Sequence, residues 1–275
     1  MSASISELKD RLKRIRKGII TSTSAAASGH PTSSLSAAEM TTAIYFGGFM
    51  KFDPKNPTMA DRDRFILSKG HAAPLLYAVM AEAGYFSADR LVTLRKLGSE
   101  LEGHPNMRRL PGVEASTGSL GQGLSLGVGH ALAARVDGLN YKTFVVMGDG
   151  EINEGQVWEA AMSAVKFKLD NLIAVVDQNG YQQTGAAKDV LDLSPIAPRW
   201  EAFGWAAQTI NGNNLEECIA ALTTACNTRG KPSVIISQTK KGYPINDILA
   251  ADPNHHGKPL NKEETAQALA FIESL

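Results

Sequence analysis

Asp149 sits in Gly148-Asp149-Gly150, directly behind the apolar run Phe144-Val145-Val146-Met147. Asn179 lies thirty positions further on, just past a second apolar run from Leu172 to Val176. Two hydrophobic segments separated by a helix-length stretch read as a βαβ unit, whose strands are parallel and close together. Ligands of open α/β sheets bind outside the carboxyl ends of the strands, and both residues occupy that edge. A carboxylate and an amide oxygen are hard ligands, the kind Mg²⁺ or Ca²⁺ takes together with phosphate oxygens. The expected occupant is a metal-bound diphosphate. Gly-Asp-Gly is weak evidence alone, since Asp-Gly is a common turn dipeptide and Asn179-Gly180 could be another turn. The coincidence of both at matching strand ends strengthens the metal reading. Glycines beside Asp149 let backbone N–H groups approach an anion, and a helix expected to begin near Asn153 turns its positive end toward it.

The six histidines form a second group. His30 is in Gly-His-Pro, His71 in Gly-His-Ala-Ala-Pro, His104 in Gly-His-Pro and His256 in His-Gly-Lys-Pro. All four fall in expected loops, where a rigid scaffold presents functional groups. Imidazoles there can hold substrate hydroxyls and move protons near neutral pH. His130 lies within a helical pattern and reads as structural, while the residues leave His255 open. No His-x-x-x-His pair or cysteine cluster supports zinc. The run Gly118-Ser119-Leu120-Gly121-Gln122-Gly123 does not match G-x-G-x-x-G and follows no evident strand, which disfavours a Rossmann site. It permits either close helix packing or a cofactor ring lying against exposed backbone. The Val157, Trp158, Ala161, Ala164, Val165 spacing forms an apolar helix face, core or subunit interface. Glu154 reads as a solvated helix-start carboxylate or as a group facing a partner subunit.

The elements that must position these residues follow from periodicity. Helices are expected at Ile5 to Ala27, from a Ser36/Glu39 capping box onward, at Ala72 to Ala83, Ser87 to Leu97, after Gly123 through Ala134, at Leu215 to Asn227 and from about Lys262. Strands are expected at Arg64 to Leu67, at the two apolar runs, at Trp205 to Ile210 and at Ser233 to Thr239. The alternation predicts an α/β fold, a single doubly wound domain with a mostly parallel sheet flanked by helices, over residues 1–275. Its tail, about 240–275, carries the His256 loop and a terminal helix. The segment Gly98 to Ser116 is long for a plain connection, which points to function.

Composition excludes several classes. Lys plus Arg equals Asp plus Glu at 28 each, so no net field attracts nucleic acid or an anionic membrane. Cys218 and Cys226 lie eight apart in one expected helix, about 12 Å along its axis and too far for a disulfide within it. With no signal-like or membrane-length apolar stretch, the expectation is a soluble, cytoplasmic chain.

The segments Ser28 to Ser33, Ser68 to His71, Gly103-His104-Pro105, Ser116 to Gly123, Gly148 to Gly155, Leu169 to Leu172, Asp177 to Asn179 and His256 to Leu260 together resemble transketolase, in the family's order and across essentially the whole chain. Gly-Asp-Gly with a downstream Asn is shared by thiamine-diphosphate enzymes generally; the histidine loops narrow it to transketolase. The resemblance implies a thiamine-diphosphate-binding fold and transfer of a two-carbon ketol unit from a ketose or ketose phosphate to an aldose. It implies Mg²⁺, or Ca²⁺ or Mn²⁺ in its place, held by the side chains of Asp149 and Asn179 and the backbone carbonyl of Tyr181. Gly150 and His71 would contact the diphosphate, Gly118 and Leu120 the rings, and Lys241 the cofactor or donor. His30, His104 and His256 would act on substrate hydroxyls and protons, with Ser33 as a further substrate contact.

Full-length transketolases are more than twice this size. The glutamate that hydrogen-bonds the aminopyrimidine, and the groups that clamp the sugar phosphate, lie in a second domain of the family. The resemblance therefore implies an N-terminal subunit of a split transketolase, active only with a C-terminal partner in an α2β2 heterotetramer. Pentose-phosphate sugars are its default substrates, with specialised sugars as alternatives. The rival readings are a subunit of another thiamine-diphosphate enzyme, of the 2-oxo-acid dehydrogenase or synthase type, and a non-catalytic cofactor-binding partner.

Overall fold

A computed structural model describes residues 3–249, 252 and 254–275. Its order is α1 (Ile5–Ala26), α2 (Pro31–Ser36), α3 (Ala38–Phe46), β1 (Arg64–Leu67), α4 (Ala73–Glu82), α5 (Gln122–Val136), β2 (Thr143–Gly148), α6 (Gly155–Lys166), β3 (Leu172–Gln178), α7 (Ala187–Val190), α8 (Ile196–Ala202), β4 (Ala206–Asn211), α9 (Leu215–Asn227), β5 (Ser233–Gln238) and α10 (Lys262–Ser274). The five strands form one parallel sheet in the order β1-β2-β3-β5-β4.

The near-continuous apolar runs of β2 and β3 have a direct cause. A parallel sheet is covered by helices on both faces, so both side-chain rows of a central strand are buried. Successive residues point to opposite faces, and the core divides accordingly. Phe144, Val146, Ile173, Val175 and Ile235 pack with apolar residues of α1, α3, α4, α9 and α10. Val145, Met147, Ala174, Val176, Val234 and Ile236 pack with those of α5, α6 and α8. This is the doubly wound arrangement expected from the sequence.

The expected Ser36/Glu39 capping box does not form. Ser36 ends α2, and α3 starts without a side-chain cap. The Ser36 hydroxyl donates to Asp177 Oδ2 at 2.6 Å, and Glu39 accepts from Arg16 of α1 at 2.5 Å. Both side chains serve tertiary partners, which outweigh a local cap. The expected helix from Ser87 to Leu97 is also corrected: only a 3₁₀ segment, Ala88–Thr93, is present. Of its apolar residues Leu91 and Leu94 are buried, whereas Leu97 is fully exposed, so no continuous face repays an α-helix. Capping boxes do form at Ser4/Glu7 of α1 and Asn261/Glu264 of α10.

The last helix folds back on the first. Lys17 pairs with Glu273, and Ser24 shares a hydrogen bond with Thr265. That return carries the preceding segment, with His256, across the carboxyl edge of the sheet. Both cysteines sit in α9 as free thiols. Among the described residues no helix is long and apolar enough to cross a membrane.

Candidate active site

Asp149 and Asn179 stand just beyond the ends of adjacent strands, where Gly148 of β2 pairs with Asp177 of β3. The Asp149 N–H donates to the Asp177 carbonyl at 3.2 Å, so the two strand ends remain zipped together. Both side chains are buried. Asp149 Oδ1 accepts from the Gly150 N–H at 2.9 Å, and Oδ2 from the Gly180 N–H at 2.8 Å. Asn179 Oδ1 accepts from the Tyr181 N–H at 3.1 Å. Each oxygen has a second lone pair. Burial, followed by the nearby Asp177 charge, pushes the Asp149 carboxyl up to about 6. A cation would relieve that cost. The hydrogen bonds around Tyr181 run from Ala187 N–H to the Gly180 carbonyl and from Gln182 N–H to the Gly185 carbonyl, leaving the Tyr181 carbonyl outside this pair.

Among the described residues no three His, Cys, Asp or Glu side chains converge at metal-ligand spacing. A cation at Asp149 and Asn179 therefore needs further oxygen from a ligand. One feature fits a phosphate oxygen. Gln182 Nε2 is a buried donor with no partner, and Gln182 lies so close to Gly150 that a Cβ there would stand 2.9 Å from its Cγ. Buried donors require acceptors.

These groups share a cleft of about 530 Å³ with His30, Ser33, His71, His104, Gly118, Leu120 and His256. That volume lies within the range of small-molecule sites. His30, at the N-cap position of α2, stands 5.1 Å from His71 and 5.0 Å from His256 between ring centroids, and His71 lies 5.5 Å from His256. Imidazoles from three separate segments thus form one triangle. His104 faces Gly118, whose φ is +155° and whose added Cβ would stand 3.1 Å from His104 Cδ2. Only bare backbone fits there.

Burial, then the neighbouring His256, holds His30 down to about 3. Burial and Lys241 hold His256 down to about 4. Burial and Lys69 depress His71, and burial and Arg95 depress His104. All four rings are neutral at pH 7. His30 Nδ1 is buried without a partner. Lys241 stands behind His256: its Nζ lies 3.0 Å from His256 Nδ1 and donates to Asn254 Oδ1 at 2.7 Å. His255, at a positive φ of 38°, does not line the cleft. His130 belongs to α5, with its carbonyl accepting from the Tyr141 hydroxyl. Trp158 packs on Trp200 and Phe203.

Two buried groups in the cleft wall escaped the sequence reading. Lys69, fully buried, donates to Asp177 Oδ2 at 2.5 Å. Glu151 accepts from the N–H groups of Gly121 and Gly148 at 2.9 and 3.0 Å, and from the Ser68 hydroxyl. This carboxylate ties the glycine-rich turn to the ends of β1 and β2. A charged residue at the end of an apolar strand run was the available signal for Lys69 and Asp177.

Residues 8–271 match the family described as transketolase, thiamine diphosphate binding domain. The chain belongs to the transketolase family. It is 44% identical to the 6-deoxy-6-sulfo-D-fructose transketolase subunit SqwG of Clostridium sp. strain MSTE9, over 99% of this chain and 98% of that one. One of the subunits of the apulose-4-phosphate transketolase of Phocaeicola vulgatus is 40% identical, with 93% of this chain and 90% of that one covered. Human transketolase is 41% identical over 97% of this chain, which spans 42% of that enzyme. The transketolase structure from Campylobacter jejuni superposes with a TM-score of 0.92 at 32% identity, covering 98% of this chain and 43% of that one. The transketolase fold and the assignment to thiamine-diphosphate-binding chemistry are thus established together.

Proposed function

We propose that this chain is the diphosphate-binding, N-terminal subunit of a split, thiamine-diphosphate-dependent transketolase. The observation that carries the reading is the placement of the imidazole triangle and the Asp149–Asn179 pair in one cleft, in a chain that matches transketolase relatives of its own length nearly end to end. Residues 1–275 are read as one such domain.

Asp149 and Asn179, with the Tyr181 carbonyl, would hold Mg²⁺ (Ca²⁺ and Mn²⁺ offer the same oxygen-seeking chemistry). His71 and Gly150 would serve the diphosphate end, Gly118 and Leu120 the rings, and Lys241 the cofactor or the donor substrate. Thiamine diphosphate supplies the nucleophilic carbon that accepts the two-carbon ketol unit. The chain's own part is positioning and proton handling. With ammonium Lys241 donating to Nδ1, His256 carries its proton on Nε2 and acts as a hydrogen-bond donor. His30, held neutral, lines the cleft and would meet substrate hydroxyls there. His104 and Ser33 complete the substrate side.

The aminopyrimidine end and the sugar phosphate call for a second polypeptide. The proposed assembly is an α2β2 heterotetramer in the cytoplasm, a location consistent with free cysteines. Pentose-phosphate ketoses are the first donors to test; the relatives' names add 6-deoxy-6-sulfo-D-fructose and apulose-4-phosphate. The test is co-expression with a C-terminal transketolase partner, followed by an assay across such donors. Turnover should require both chains and thiamine diphosphate. Asp149→Asn should weaken cofactor binding by more than the roughly 10–100-fold typical of an outer-shell change. Ketol transfer by this chain alone, or a complex that binds no thiamine diphosphate, would refute the reading.

A further inference from the structure

Asp177 lies beneath the cation pair, one residue before the end of β3, and is 1% exposed. Four side chains from four segments donate to it. Ser36 Oγ, Lys69 Nζ and Asn179 Nδ2 reach Oδ2 at 2.6, 2.5 and 3.1 Å, and Thr239 Oγ1 reaches Oδ1 at 2.6 Å. The donors come from the end of α2 and from just beyond β1, β3 and β5. Every one of those segments borders the cleft or supports a residue that does. We propose that Asp177 is a positioning residue for the cation site: it fixes the orientation of the Asn179 amide, and Lys69 is its buried counter-charge.

An asparagine side chain can present either its oxygen or its NH₂, and the hydrogen-bond network decides which. Here both neighbours decide alike. A carboxylate accepts only, so Nδ2 must face Asp177; the Tyr181 N–H donates only, so Oδ1 must face it. The flipped amide would set oxygen against oxygen and N–H against N–H. The oxygen that a hard cation needs is thereby presented before any cation arrives. Outer groups that orient metal ligands in this way typically contribute about 10–100-fold to metal affinity.

Lys69 has a separate duty. An unpaired carboxylate at this depth would be strongly penalised, and breaking a buried pair destabilises far more than replacing both partners with apolar groups of similar shape. Lys69 therefore keeps Asp177 ionised without adding net charge beneath Asp149. That separates the pair's effect on stability from its effect on the metal.

The inference rests on the proposed cation site, and the test separates the two. Mg²⁺ would be titrated calorimetrically into the two-subunit complex with saturating thiamine diphosphate. Wild-type complex must bind Mg²⁺; if it does not, the site reading itself fails and this inference with it. In Lys69→Met/Asp177→Leu the charges vanish together, but Ser36, Asn179 and Thr239 lose their acceptor. The melting temperature should therefore fall less than in Lys69→Met alone, while Mg²⁺ affinity falls about 10–100-fold. In Lys69→Met/Asp177→Asn one acceptor oxygen survives, and the loss should be smaller, about tenfold. The second variant decides alone if the first does not fold. Wild-type binding with a Mg²⁺ affinity within about twofold of it in the folded variants would overturn the positioning role.

Discussion

Among single residues, four imidazoles are held neutral chiefly by burial. The consequence for acid stability has a definite sign. A histidine whose pKa is lower in the folded chain binds fewer protons there than when unfolded, so stability falls as pH drops between the two values. For His30 and His256 that window runs from the ordinary 6.5 down to about 3 and about 4. Replacing His30 with Gln should therefore flatten the loss of melting temperature between pH 6.5 and 4, although substrate turnover should fall. A thermal-melt series across that range checks it; equal slopes for variant and wild type would contradict the burial argument. The histidine loops were visible in the sequence because Gly-His-Pro punctuation is local. Their convergence was not, since His30, His71 and His256 are far apart along the chain.

Among the helices and strands, the packing of α5 on the end of β1 depends on Gly123. A Cβ there would overlap the Ser68 side chain, whose hydroxyl accepts from the Gly123 N–H at 3.1 Å and donates to Glu151. Alanine favours a helix over glycine by about 1 kcal/mol, whereas overpacking a tight site costs about 1–3 kcal/mol. The clash is against a side chain held by hydrogen bonds, so Gly123→Ala should be net destabilising by about 1 kcal/mol or more in denaturant unfolding. A gain in stability would show that Ser68 yields freely. Packing between elements also explains the two places where local pattern misled. Ser36 and Glu39 have the spacing of a capping box, but a buried carboxylate and a buried guanidinium claimed them. Ser87 to Leu97 has helical periodicity without a buried face to match it.

Taken as one body, the chain presents one cleft that gathers the Asp149–Asn179 pair and three clustered imidazoles. The proposed assembly predicts a light-scattering mass equal to two copies of this 29.4 kDa chain plus two of the partner. A stable 1:1 complex with full activity would contradict it.

The sheet was legible from the chain alone, because strands buried on both faces must be continuously apolar and the segments between them carry helical periodicity. So were Asp149, Asn179 and the histidine loops, whose signals are contained in a few adjacent residues. The pairing of Lys69 with Asp177, the role of Glu151 in tying the glycine-rich turn to two strands, and the stationing of Lys241 behind His256 emerged only in three dimensions. Those choices depend on which strand ends lie side by side and on which buried charges must be satisfied. Neither is encoded by local spacing.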